Sequence, residues 1–109
     1  MPKKAMVILT ESMFYVLMAF RSGEMCGIDV ADHIEKQTGG RIRLGPATLY
    51  TILGKFEKEE YIVETQVEGR KRTYRITERG MEAWAAELLR LRQCVADAEQ
   101  IDWEAGGQS

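Results

Sequence analysis

Leu44-Gly45-Pro46-Ala47-Thr48-Leu49-Tyr50-Thr51-Ile52-Leu53-Gly54-Lys55-Phe56-Glu57-Lys58 is the stretch on which the fold turns. Gly45-Pro46 marks a helix start, because proline in the first turn has its φ preset and its missing N–H costs nothing there. Steps of about 100° per residue then place Leu49, Ile52, Leu53 and Phe56 on one side. The other side carries Ala47, Tyr50, Thr51, Gly54, Lys55 and Lys58, with no carboxylate before Glu57 at its margin. A face of hydroxyls, small groups and cations can lie against a phosphate-lined groove. Taken alone, the segment also suits any amphipathic surface helix, so its neighbours decide.

Two β-rich runs follow, residues 61–67 and 73–76, separated by Glu68-Gly69-Arg70-Lys71-Arg72. Gly69 supplies the turn conformation that other residues reach only with strain. The expected product is a hairpin whose tip bears Arg70, Lys71 and Arg72, with Lys71 and Thr73 facing one way and Arg70 and Arg72 the other. A polar-faced helix followed by a basic hairpin is the order of parts in a winged helix-turn-helix. Upstream, Thr10 caps a helix to about Ser22 with an apolar stripe of Met13, Phe14, Val16, Leu17 and Phe20. A second helix, from about Ile28 to about Thr38, turns Ile28, Ala31 and Ile34 inward, and Gly39-Gly40 stops it. Arg41 and Arg43 stand just before the groove-facing helix, placed either to touch phosphate or to be solvated in a loop.

After the hairpin, Thr77 is an N-cap and Gly80 lets the next helix start close to its neighbours. Met81, Trp84, Leu88, Leu91, Val95 and Ala98 then recur at intervals of three and four, the seam of a coiled coil, with Leu89 and Ile101 as a flank. A helix of about 25 residues extends roughly 37 Å, more than so small a domain covers. Trp84, Leu88, Leu91, Val95, Ala98 and Ile101 are therefore expected to pack against a second copy; the alternative, a helix folded back on its own core, fits Met81 to Leu88 but leaves Leu91 onward exposed. The predicted fold class is α+β, mainly α: a winged helix-turn-helix domain with a long C-terminal dimerisation helix. Its parts are an N-terminal arm (1–9), the DNA-binding domain (10–77), the dimerisation helix (78–103) and a disordered tail (104–109).

The 109 residues carry a net charge of −2, which would argue against nucleic acid were the charge evenly spread. It is not: residues 1–40 balance at −1, 41–75 at +3 and 76–109 at −4. A local basic face is what steers a domain onto DNA. No apolar run approaches the ~20 residues that span a bilayer, and residues 5–9 lack the length of a secretory signal, so a cytoplasmic location is expected. Cys26 and Cys94 read as reduced and structural. His33 stands four residues after Asp29 with no further ligand at fixed spacing, so no metal and no cofactor are expected. No phosphate loop, nucleophile–base constellation or close carboxylate pair points to an enzyme.

Leu44-Gly45-Pro46-Ala47-Thr48-Leu49-Tyr50, Leu53, the Lys58-Glu59-Glu60-Tyr61-Ile62 helix exit, the Gly69-Arg70-Lys71-Arg72 wing and Tyr74-Arg75-Ile76-Thr77 together resemble the PadR-like transcriptional regulators. The similarity runs from about Leu9 to about Leu89. It implies a homodimeric, sequence-specific repressor of double-stranded operator DNA, with Thr48, Tyr50 and Lys55 at or near the duplex. Helical phase independently turns Tyr50 and Lys55 outward, whereas Thr48 rests on the resemblance. The full expected DNA-binding set is Ala47, Thr48, Tyr50, Thr51, Lys55, Lys58, Arg70, Lys71 and Arg72. Members of the family respond to small aromatic compounds, so the resemblance admits such an effector, with Phe14, Trp84 and Leu91 as candidate contacts and Phe20 and Trp103 as further aromatics; the alternative is that these aromatics are core and the repressor is unliganded or answers another signal. A competing class is a winged helix that binds protein instead of DNA; the basic hairpin tip weighs against it.

Overall fold

The computed structural model describes residues 8–108, with side chains described for residues 8–101. Most of the expected arm, and the side chains of Trp103 and of the expected tail, lie outside what is described. The elements are α1 (Glu11–Ser22), β1 (Met25–Cys26), α2 (Gly27–Gln37), α3 (Pro46–Lys58), β2 (Ile62–Glu68), β3 (Lys71–Ile76) and α4 (Glu78–Gln108). The three strands form one antiparallel sheet in the order β1-β3-β2.

Local chemistry accounts for the element boundaries. Thr10 Oγ1 accepts from the Met13 N–H at 3.1 Å and starts α1. Gly39 and Gly40, at φ 62° and 84°, end the chain segment after α2 in a conformation that glycine reaches without strain. Pro46 occupies the first turn of α3 as expected, after Gly45 at the N-cap. Thr77 Oγ1 accepts from the Gly80 N–H at 3.0 Å to open α4. There the absence of a side chain is compulsory, since a Cβ on Gly80 would fall 2.2 Å from the Tyr61 carbonyl oxygen.

The core collects Val16, Leu17 and Phe20 of α1, Val30 and Ile34 of α2, and Leu53 and Phe56 of α3, each at most 2% exposed. Full burial of a side chain of this size is worth roughly 1.5–3 kcal/mol, and this cluster ties the three helices together. Tyr61, Ile62, Tyr74 and Ile76 close it from the sheet side. All four apolar positions expected on the inner face of α3, namely Leu49, Ile52, Leu53 and Phe56, are buried.

Two expectations fail. Ile28 does not face inward; it is 73% exposed, and Val30 takes the core position. The cause is Gly27, which begins α2 pressed against α3: a Cβ there would meet Leu53 Cδ1 at 3.3 Å and Tyr50 Cε1 at 3.4 Å. The buried line of α2 is consequently Gly27, Val30 and Ile34, which turns Ile28 about 100° away. The hairpin, for its part, is longer and tighter than its composition suggests. Its strands pair up to Glu68 and Lys71, so the loop is Gly69-Arg70 alone, and Lys71 and Arg72 are strand residues.

The start of α4 lies on α1, where the Trp84 ring stacks on Phe14 with centroids 5.7 Å apart and planes 2° from parallel. Arg21 of α1 also lies 4.4 Å from the Trp84 ring centroid. Leu88 and Leu91 pack on the same core, while Met81 stays 47% exposed. Trp84, Leu88 and Leu91 of the expected seam are thus packed on the chain's own core. From residue 92 to residue 101 every position is exposed, including Val95, Ala98 and Ile101.

Candidate nucleic-acid interface

The outer face of α3 is as the helical phase requires: Ala47, Thr48, Tyr50, Thr51, Lys55 and Lys58 are all exposed. Tyr50 is the large aromatic on this face, at 57% exposure. Arg70, Lys71 and Arg72 are also exposed, on the loop and first residues of β3. The tertiary fold joins these two groups. Tyr50, Arg70, Lys71 and Arg72 line one cleft of about 430 Å³, whose other walls include Gly27, Ile28 and Asp29 at the start of α2. Ala47, Thr48, Thr51, Lys55 and Lys58 do not line it; they continue the same exposed surface along α3.

The three wing cations are not equivalent. Arg72 Nε lies 3.2 Å from Glu64 Oε2 of the neighbouring strand. A hydrogen bond with Tyr74, and then the Glu64 charge, raise the Arg72 pKa above its ordinary value. Burial in turn pushes the Tyr74 phenol up, keeping it neutral. Arg72, Glu64 and Tyr74 share one face because a bulge between Glu64 and Gln66 sets Glu64 opposite Tyr74. Among the described residues no ion pair is formed by Arg70 or Lys71, and these charges are available to an external anion.

Arg41 and Arg43 are anchored within the chain rather than left as free loop charges. Arg41 donates through Nη1 to Glu11 Oε2 at 3.0 Å and through Nη2 to the Tyr15 hydroxyl at 2.9 Å. The Glu11 hydrogen bond is the main cause of a raised Arg41 pKa. Arg43 Nε stands 3.6 Å from Glu35 Oε2. Both pairs tie the segment that leads into α3 to the two preceding helices.

The candidate effector residues lie elsewhere, between α1 and α4. Phe14 and Leu91 line a cleft of about 310 Å³ with Glu11, Tyr15, Glu87 and Arg90; Trp84, stacked on Phe14, does not border it. Glu87 was not foreseen. It is only 7% exposed and accepts from Arg90 Nε at 3.1 Å, a pairing that suits a carboxylate held at the edge of a core. Among the described residues no group of three or more potential ligands could hold a metal. No described helix is long and apolar enough to cross a membrane.

A three-helix core with an antiparallel wing behind its third helix, and a long helix leaving the domain, defines a winged helix-turn-helix protein. Residues 16–86 match the family described as transcriptional regulator PadR-like, and the chain belongs to that family. It is a family of transcriptional regulators, not of enzymes. Several solved structures share the fold. A transcriptional regulator from Clostridium thermocellum is similar with a TM-score of 0.73 at 22% identity, over 81% of this chain and 89% of that one. A PadR family regulator from Clostridium difficile gives 0.71 at 14% identity, over 82% and 95%. Bacillus subtilis PadR in complex with operator DNA gives 0.64 at 22% identity, over 72% of this chain and 47% of that one. No curated protein sequence matches the chain.

Proposed function

We propose that the protein is a homodimeric repressor that binds a specific duplex sequence through α3 and the wing. The observation that carries this reading is the shared cleft, in which Tyr50 of α3 meets the unpaired cations Arg70 and Lys71. In this arrangement α3 enters a major groove, where the Tyr50 and Thr51 hydroxyls reach phosphate or base edges. Lys55 and Lys58 bind phosphate, and the wing reaches a minor groove or the flanking backbone. Occupation of a promoter by such a dimer blocks other proteins, which is sufficient for repression. The operator complex of the Bacillus subtilis relative supports the DNA reading.

Dimerisation is supported by the end of α4. A helical segment that rests on nothing is marginal in water, and Val95 and Ile101 stand 53% and 67% exposed along it. A second α4 laid against Val95, Ala98 and Ile101 supplies the missing contact. The place for a small aromatic effector is beside Phe14 and Leu91 in the α1–α4 cleft, because Trp84 is already stacked.

Selection of duplexes from a random pool tests the function. The wild-type protein should enrich one sequence with two-fold symmetry. Failure to enrich any sequence at low salt would leave the protein-binding winged helix as the better account.

A further inference from the structure

Gly54 sits inside the 13-residue helix α3, and nothing within the described chain explains it. Glycine in a helix interior is less favourable than alanine, because more backbone freedom is lost on folding. Other glycines have local reasons: Gly69 holds φ 61°, Gly80 admits no Cβ, and Gly45 is an N-cap. At Gly54 the φ is not positive, and a Cβ would meet nothing within 4 Å. The position is exposed, one turn after Tyr50 and one turn before Lys58, in the middle of the face assigned to DNA.

We infer that Gly54 is a contact point for duplex DNA, where the wall of the groove approaches the α3 backbone too closely for a side chain. This rests on the DNA-binding reading and adds a residue that sets how deeply α3 seats. A methyl group there would hold the helix away from the base edges. It would leave the phosphate contacts of the flexible Lys55, Lys58, Arg70 and Lys71 side chains in reach. Specific binding is therefore sensitive to this position, and non-specific binding, which depends on phosphate neutralisation, is not.

The test compares the full-length wild type with Gly54→Ala and Gly54→Leu. The probes are a duplex selected by the wild type from a random pool and a random-sequence duplex. Gly54→Ala should have a higher Tm, since it removes a helix-interior glycine without a clash. It should bind the selected duplex about tenfold more weakly, comparable to the loss of one base-edge contact, and the random duplex as the wild type does. Gly54→Leu should lose more of the specific affinity while remaining folded. A Gly54→Ala protein that binds the selected duplex like the wild type overturns the inference and leaves the DNA reading standing. A fall in Tm also overturns it, because the glycine would then serve the fold. A wild type that selects no sequence removes the DNA reading and this inference together.

Discussion

Glu60 holds a left-handed backbone at φ 63° immediately after α3, a conformation that costs a side-chain-bearing residue about 1 kcal/mol. The surrounding bonds enforce it: the Tyr61 N–H reaches back to the Phe56 carbonyl at 2.8 Å, and Thr77 Oγ1 donates to the Glu60 carbonyl at 2.7 Å. Glu60→Gly should keep these backbone bonds and raise stability by about 1 kcal/mol, read as a Tm increase with unchanged affinity for a selected duplex. A loss of stability would mean that the carboxylate makes a contact worth more than the strain. At this scale much of the structure was legible in advance. Proline, the caps at Thr10 and Thr77, and the four inner positions of α3 each follow from one local rule. Ile28 did not, because its orientation depends on how tightly Gly27 meets Leu53 of the next helix, a contact between residues with no common local pattern.

The wing is the element in which position and charge separate most clearly. Arg70 and Lys71 are free of ion pairs within the described residues, whereas the Arg72 guanidinium is engaged by Glu64. Each phosphate contact contributes about 0.9 to the slope of log K against log salt. Replacing Arg70 and Lys71 by Gln should therefore reduce the magnitude of that slope by about 2 per protomer, and weaken all sequences alike. Arg72→Gln should change it less. A doubly substituted wing that retains the full slope would show that the wing does not touch the duplex. That the hairpin carries three cations was readable from composition and Gly69. The inequality among them was not, since an unbroken register would set Glu64 opposite Arg75, and only the bulge at Thr65 brings it level with Tyr74. The two-residue strand β1 was equally hidden, being too short to leave a periodic pattern.

The molecule as a whole joins a compact domain to a helix that outruns it. Periodicity correctly marked α4 as long, yet it treated Trp84, Leu88 and Leu91 as one continuous seam with Val95, Ala98 and Ile101. In three dimensions the first group packs on the domain's own core and the second stands in solvent, a division that depends on where the domain ends. In the proposed dimer a second copy covers the exposed end and places two α3 helices and two wings on one duplex. Sedimentation of the wild-type protein with a labelled duplex selected from a random pool measures this directly. It should give two protomers per duplex, on half-sites about one or a few helical turns apart. One protomer per duplex, or a protein that stays monomeric at micromolar concentration with no affinity for the selected DNA in dilute buffer, would contradict it.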